Sequence, residues 1–156
     1  MKIEVGSIAP DFTLYSSDKE KVSLSNYKDK NVVLLFFPLA FTGVCTKELC
    51  NVRDNIGAYN NSRANVLAIS VDSPQTLAKF KKDQKLNFLL LSDFNKTVSE
   101  KYGCLYETFI MDIKGVSKRS AFVIGKDGKI QYAEVLENAR EEPCYEAIEK
   151  CLAALN

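Results

Sequence analysis

One continuous apolar run constrains the fold of this chain more than any other feature. Every residue from Val32 to Phe37 is aliphatic or aromatic. A run of this length, with apolar side chains on both faces, is typical of a strand that is covered on both sides of a sheet. Pro38 lacks a backbone N–H, so we expect strand pairing to end there. Such a strand needs partners on both faces, which predicts a layered α/β domain.

Shorter patterns predict further strands. Apolar and polar residues alternate on either side of Ser16-Ser17-Asp18, which predicts an N-terminal β-hairpin. The turn Lys126-Asp127-Gly128 lies between two apolar segments and predicts a second hairpin. Additional buried strands are expected at residues 66–71, 88–91 and 121–124.

Helical patterns fall between these strands. Helices are predicted at residues 46–59, from Ser73-Pro74 to about Lys85, and after Pro143, where Cys144 and Cys151 recur at core-facing positions. This order predicts an α/β, thioredoxin-like fold: a central mixed β-sheet flanked by helices, with an N-terminal β-hairpin. The sequence contains no internal repeat or linker, so residues 1–156 are interpreted as a single domain.

The composition excludes several kinds of chemistry. The sequence has no histidine, which excludes serine–histidine and cysteine–histidine hydrolases and histidine-ligated metal sites. A net charge of +1 points neither to nucleic acid nor to an anionic membrane as a partner. No apolar run reaches transmembrane length, and Met1 to Phe12 lacks the apolar core of a signal peptide. A cytoplasmic location is therefore expected.

The chain contains five cysteines: Cys45, Cys50, Cys104, Cys144 and Cys151. An odd number, in a compartment expected to keep thiols reduced, does not predict a framework of structural disulfides. No two cysteines have the CxxC spacing, so zinc knuckles and the usual dithiol site are not expected. Redox chemistry, metal binding and core packing remain open for these thiols.

Cys45 lies where the predicted buried strand gives way to a helix. A short loop after Pro38 places this sulfur at the carboxyl edge of the sheet, where α/β proteins bind their ligands. The unpaired N–H groups and the dipole of a helix N-terminus favour a thiolate there. Thr42, three residues earlier, offers a hydroxyl for this thiolate and for a substrate, or it caps the helix. The alternative for Cys45 is a small core residue.

The segment from Pro38 to Cys45 resembles the active site of the peroxiredoxins, the alkyl hydroperoxide reductase and thiol-specific antioxidant family. In that family a proline precedes threonine or serine by four positions, and the peroxidatic cysteine follows three positions later; Pro38, Thr42 and Cys45 match. The resemblance covers nearly the whole chain and extends to residues 9–14, 24–27, 119–124 and 127–130. It implies a thiol-dependent peroxidase for hydrogen peroxide and organic hydroperoxides, with no metal or other cofactor.

The resemblance also implies how the active site works. The Cys45 thiolate attacks a peroxide oxygen and becomes a sulfenic acid, while Thr42 binds the peroxide and Pro38 shapes and shields the pocket. Backbone N–H groups near Val44 and Cys45 bind the peroxide oxygens as charge shifts.

The resemblance assigns Arg119 to the thiolate and the peroxide, because its guanidinium is a fixed and permanently charged set of donors. From spacing alone, a surface ion pair beside Lys118 would be the preferred interpretation of Arg119. Glu48 either orients Arg119 or is an ordinary acid in the first turn of its helix.

Two cysteines compete for the role of resolving the sulfenic acid. Cys50, five residues after Cys45, is similar to the resolving cysteine of the Q-type subfamily, the bacterioferritin comigratory proteins. The sequence of the loop before Cys45 is more similar to the E-type alkyl hydroperoxide reductases, many of which work with one cysteine. In an intact helix the two Cα atoms would lie ~8.7 Å apart, so a disulfide requires the helix start to unwind. Cys104 is the rival resolver, and core packing is the preferred interpretation of it.

The resemblance implies an outside thiol as reductant, either thioredoxin or glutaredoxin. E-type relatives suggest a homodimer through the active-site face, and Q-type relatives a monomer. Two further hypotheses remain: a redox sensor or relay on the same scaffold, and a structural module in which Cys45 is inert. A lysine-rich helix face is interpreted as solvated, with a docking patch for an acidic reductant as the alternative; it consists of Lys79, Lys81, Lys82 and Lys85.

Overall fold

The apolar run forms the central strand β3 (Asn31–Phe36), and all of its residues are buried. The structure is a computed structural model and describes residues 3–155. Strand β3 pairs in parallel with β4 (Ala64–Ser70) and antiparallel with β6 (Ser120–Ile124). Burial on both faces confirms the interpretation of this run, and pairing with β4 and β6 ends at Phe36, before Pro38.

The remaining strands extend the sheet on both sides. Strand β5 (Leu89–Ser92) lies parallel to β4, and the hairpin of β1 (Thr13–Ser16) and β2 (Lys21–Ser23) forms the edge beyond it. Strand β7 (Ile130–Val135) lies antiparallel to β6 at the opposite edge. In the described residues the order is β2-β1-β5-β4-β3-β6-β7. The mixed sheet and both predicted hairpins are confirmed.

Helices in the connections between strands are α1 (Gly43–Asp54), α2 (Ile56–Asn61), α3 (Pro74–Gln84) and α4 (Thr97–Lys101), and α5 (Tyr145–Ala154) follows the last strand. Short 3₁₀ turns lie at Leu24–Tyr27 and Ile110–Asp112. The hydroxyl of Ser73 accepts the Thr76 N–H at 3.1 Å, so the predicted cap of α3 is confirmed. No helix in the described part of the chain is long and apolar enough to cross a membrane.

The single helix predicted at residues 46–59 is wrong in two respects. It begins earlier, at Gly43, and it breaks at Asn55 into α1 and α2. The Asn55 side-chain amide donates to the Asn51 carbonyl at 2.8 Å, and the backbone has φ −112° and ψ 19° at this residue. A short polar side chain that competes for backbone groups in this way interrupts the regular helix.

The sheet separates two apolar layers, because successive side chains of a strand point to opposite faces. Val33 and Leu35 face the layer that also contains Cys45. Leu34 faces the other layer, which contains Cys104. The two thiols therefore lie on opposite sides of the central sheet.

The prediction that Cys144 packs in the core is wrong, whereas Cys151 is partly buried against it. Helix α5 begins one residue after Cys144, which is therefore the N-cap residue and is exposed. Its backbone N–H donates to Glu134 Oε1 at 3.0 Å. The single-domain interpretation of residues 1–156 stays a prediction, and residues 1, 2 and 156 lie outside the described residues.

Candidate active site

Cys45 occupies the first turn of α1, at the carboxyl end of β3. The chain leaves β3 through buried Pro38, and the Ala40 N–H donates to Asp72 Oδ2 at 2.8 Å. Phe41 follows with a φ of 65°, in the left-handed region, which turns the chain into the helix. Asp72, just beyond the end of β4, thus holds the loop in place. The Cys45 side chain is only 1% exposed.

The first residues of α1 supply N–H groups near the sulfur. Gly43, Val44 and Cys45 are the first three helical residues, whose N–H groups have no acceptor within an α-helix. The first helical bond closes at Thr46, whose N–H donates to the Thr42 carbonyl at 3.0 Å. The positive end of the helix dipole therefore lies beside the Cys45 thiol and stabilises negative charge there.

Arg119 lies directly against the Cys45 sulfur. Its Nη1 donates to Cys45 Sγ at 3.3 Å and to Glu48 Oε1 at 2.7 Å, and its Nη2 donates to the Ala139 carbonyl at 2.9 Å. Although burial lowers the pKa of Arg119, Glu48 and Cys45 raise it on balance. The guanidinium is buried, so the surface pair beside Lys118 is not formed. Lys118 and Arg119 are adjacent in an extended segment, so their side chains point to opposite sides.

Glu48 completes a buried line of Cys45, Arg119 and Glu48. Its Oε1 accepts from Arg119, while Oε2 has no hydrogen-bond partner. Burial raises the pKa of this carboxyl from 4.5 to about 7, and Arg119 opposes that rise only in part. Because α1 begins at Gly43, Glu48 lies in the second turn, and the first-turn interpretation is wrong. Glu48 contacts the guanidinium and fixes where it lies.

Replacing Glu48 with glutamine is expected to change how stability depends on pH. Between pH 4.5 and about 7 the folded protein holds a proton on Glu48 that the unfolded chain has released. Stability therefore falls as pH rises through this window, by roughly 1–3 kcal/mol from this group alone. Urea unfolding of wild type and Glu48→Gln at several pH values measures the difference, in which the other titrating groups cancel. A pH-independent difference would contradict the raised pKa.

The Thr42 hydroxyl does not contact the thiol in this structure. Its Oγ1 donates to the Leu39 carbonyl at 2.7 Å, which uses its only proton. Thr42 is the N-cap residue of α1, but its side chain makes no capping bond. Neither the predicted donation to the thiolate nor a capping bond is therefore present, while the oxygen can still accept a hydrogen bond from a substrate.

A cavity of about 550 Å³ opens over Cys45 and Arg119. Three of the predicted residues, Pro38, Thr42 and Val44, also line it. Apart from Leu39 and Gly43, the remaining wall comes from two segments that sequence reasoning missed, which contribute residues 106, 108–110 and 137–140. No grouping of three or more potential metal-ligating side chains occurs within residues 3–155.

This buried thiol, arginine and helix N-terminus can be compared with known proteins. Residues 5–133 match the AhpC/TSA family. The chain belongs to this family, the peroxiredoxins. Alkyl hydroperoxide reductase E of Mycobacterium tuberculosis is 40% identical over 136 residues, which cover 85% of this chain and 86% of that protein. Peroxiredoxin Bcp of Escherichia coli is 37% identical over 132 residues, with 83% and 84% covered.

Solved structures give the same result for the fold of this peroxiredoxin. The crystal structure of peroxidoxin BcpB from Mycobacterium tuberculosis superposes with a TM-score of 0.83 at 30% identity, covering 98% of this chain and 96% of that one. The thioredoxin-like fold is therefore confirmed. The activity is of the family's class, a thiol-dependent peroxidase that takes a peroxide as its substrate and a thiol as its reductant.

The two candidate resolving cysteines of this peroxiredoxin lie in different surroundings. Cys50 is partly exposed on α1, and its Sγ donates to Gln84 Oε1 at 3.4 Å. Cys104 is buried in the layer beyond the sheet, where burial raises its thiol pKa to about 12. A neutral thiol behind the sheet is poorly placed to attack Cys45, so the geometry supports core packing for Cys104.

The missed segments carry no sequence signal for a site. Tyr106, Phe109 and Ile110 lie in a connection without helical or strand periodicity. Their contribution depends on the chain folding back, as the Tyr106 N–H donates to the Val116 carbonyl at 2.9 Å. The Ala139 carbonyl that holds Arg119 is a backbone group, which any residue type offers.

Proposed function

We propose that Cys45 is the peroxidatic nucleophile of this peroxidase and that Arg119 activates it. The observation that supports this most directly is the 3.3 Å contact between Arg119 Nη1 and Cys45 Sγ, inside a buried site at the floor of a cavity. A fixed cation next to a thiol favours the thiolate, which is the nucleophilic form.

In the first step, the thiolate of Cys45 attacks one oxygen of the peroxide. The S–O bond forms as the O–O bond breaks, and the leaving oxygen takes a proton to become water or an alcohol. Arg119 and the N–H groups of Val44 and Cys45 stabilise the charge that moves onto the oxygens. Thr42 accepts a hydrogen bond from the peroxide, while Pro38 covers the thiolate. Cys45 is left as a sulfenic acid.

In the second step, the Cys50 thiolate attacks the Cys45 sulfenic acid. The S–S bond forms and the sulfenic oxygen leaves with a proton as water. Both residues belong to the same helix, so the turn between them must unwind and the Cys50 contact with Gln84 must break. Thioredoxin or glutaredoxin then reduces the disulfide and restores the two thiols, and this takes place in the cytoplasm. The homodimer suggested by E-type relatives stays a prediction.

Exposure to one equivalent of hydrogen peroxide is expected to give a Cys45–Cys50 disulfide. The chemical reason is that the sulfenic acid has one partly exposed thiol within the same helix. Mass spectrometry of digested protein, with a sulfenic-acid trap present, identifies the product. The Cys50→Ser variant serves as control and should accumulate trapped sulfenic acid at Cys45. Trapped Cys45 with free Cys50 in wild type would mean that an outside thiol resolves the intermediate.

The same samples test whether the helix unwinds. Amide hydrogens from Thr46 to Leu49 should lose most of their exchange protection in the disulfide form, because their helical bonds must open. Strand β3 provides an internal control, since its protection should not change. Equal protection of Thr46 to Leu49 in both forms would contradict the unwinding.

A further inference from the structure

Cys50 contacts the C-terminal end of α3, a part of the chain with several basic residues that the proposed catalytic steps do not use. Its Sγ contacts Gln84 Oε1, and Arg53, one turn further along α1, donates from Nη1 to the Gln84 carbonyl at 2.5 Å. Lys81 lies one turn before Gln84 on α3, and Lys85 follows Gln84 directly. The bond between Cys50 and Gln84 thus holds α1 against the C-terminal end of α3, which carries Lys81, Lys82 and Lys85. The term basic edge is used here for Arg53, Lys81, Lys82 and Lys85.

Three of the four positive charges of the basic edge, those of its lysines, have no carboxylate partner in the described residues, while Arg53 is paired. Within residues 3–155, no carboxylate lies within 4 Å of Lys81, Lys82 or Lys85. The two acids nearby are already paired: Asp54 with Arg53, and Asp83 with Lys79. The whole chain has a net charge of only +1, so this excess is local. A local excess of one sign attracts partners of the other.

The chemistry of the cycle brings a reductant to the disulfide. Forming the disulfide breaks the Cys50–Gln84 contact, but the bond from Arg53 to the Gln84 carbonyl lies beyond the unwound turn and keeps the end of α3 beside α1. A thiolate of the reductant can attack either sulfur of the Cys45–Cys50 disulfide. Attack on Cys50 breaks the S–S bond and sends its electron pair to Cys45, which leaves as a thiolate beside Arg119. A leaving thiolate stabilised in this way departs faster. A second reductant thiol then attacks the reductant's own sulfur in the mixed disulfide, which oxidises the reductant and releases Cys50.

We propose that the basic edge docks the reductant, a protein whose redox-active thiol is surrounded by carboxylates. The proposal rests on the proposed resolving role of Cys50. Attraction between the two surfaces raises the rate of encounter and orients the incoming thiol toward Cys50, and salt weakens it. As a solvated helix face, these lysines would have no role in the reaction. In this proposal they determine which reductant binds.

Two synthetic peptides of equal length test the docking surface. In one a cysteine is flanked by glutamates, and in the other by lysines; each reduces the purified Cys45–Cys50 disulfide form under pseudo-first-order conditions. In the ratio of the two rate constants, any effect of a variant that is the same for both peptides cancels. Combining Lys81→Gln, Lys82→Gln and Lys85→Gln should lower the acidic-to-basic ratio about tenfold at low ionic strength, and salt should lower it in wild type.

A matched triple variant controls for the loss of net charge. Lys28→Gln, Lys30→Gln and Lys126→Gln remove three exposed lysines that border a cavity on the other face of the sheet, and the ratio should stay at its wild-type value. An unchanged ratio in the basic-edge variant would overturn the docking surface alone. Failure of the disulfide to form, seen by mass before any peptide is added, would overturn the resolving role and this proposal together.

The peroxide reaction separates docking from catalysis. The basic-edge variant should oxidise Cys45 at the wild-type rate, because none of its substituted residues contacts Cys45, Arg119 or the cavity above them. If the variant instead loses self-association in sedimentation and keeps the wild-type peptide ratio, the basic edge holds a second copy of the chain. That result would also overturn the proposal.

Discussion

Replacing Cys45 with serine is expected to abolish peroxide reduction, lowering its second-order rate constant by at least roughly 10⁴-fold. A serine hydroxyl stays protonated near neutral pH and needs a general base to become a nucleophile. The sequence contains no histidine, and the carboxylate nearest to this position, Glu48, is bound to Arg119. Stopped-flow measurement of peroxide consumption with excess reductant gives the rate constant directly.

A second cysteine variant controls for the general loss of a thiol. Cys144 is exposed at the start of α5, so Cys144→Ser should keep both the fold and the peroxidase rate of wild type. Circular dichroism establishes that each variant is folded before its rate is compared. Retention of turnover by Cys45→Ser, with loss in Cys144→Ser or Cys104→Ser, would contradict the assignment of the nucleophile.

Replacing Arg119 with methionine is expected to damage both activity and stability. Loss of the donor at 3.3 Å from Cys45 Sγ should lower the peroxide rate constant by about 10²- to 10³-fold. Glu48 is then left buried without its partner, which should cost about 3 kcal/mol of unfolding free energy. Stopped-flow kinetics and urea unfolding measure the two effects on the same preparation.

A double variant separates these two effects. Adding Glu48→Gln to Arg119→Met removes the unpaired carboxyl, so part of the lost stability should return while the peroxide rate stays low. Arg119→Lys offers a further comparison, since it retains a charge but not the planar arrangement of donors that contacts Cys45, Glu48 and Ala139. A double variant that regains wild-type kinetics would show that Arg119 acts only on stability.

Much of the fold followed from local sequence patterns. The buried strand at residues 32–37, both hairpins and the Ser73 cap depend on residues that are neighbours in the chain, so periodicity and turn chemistry were sufficient to predict them. The break at Asn55 was missed because it depends on a side-chain bond to the Asn51 carbonyl, which competes with a helical pattern that continues through the site.

The candidate site was predictable in some parts and not in others. Pro38, Thr42 and Cys45 lie within one loop and its helix start, where spacing in the sequence is also spacing in space. Arg119 lies 74 positions from Cys45, and spacing alone favoured a surface pair; only the family pattern assigned it to the site. The wall at residues 106–110 has no local pattern at all, because its place depends on long-range packing.

The sequence by itself determined that a thiol lies at a strand-to-helix junction, where it is suited to the proposed chemistry. It did so because the apolar run, the proline and the start of α1 are contiguous, and because the absence of histidine removed the competing mechanisms. Only the tertiary structure decided that Arg119 and Glu48 form a buried line with Cys45, that Cys104 lies behind the sheet, and that Cys50 contacts Gln84 at the end of α3. The physical reason is that strand pairing and helix packing join residues far apart in the chain, and no local pattern records those distances.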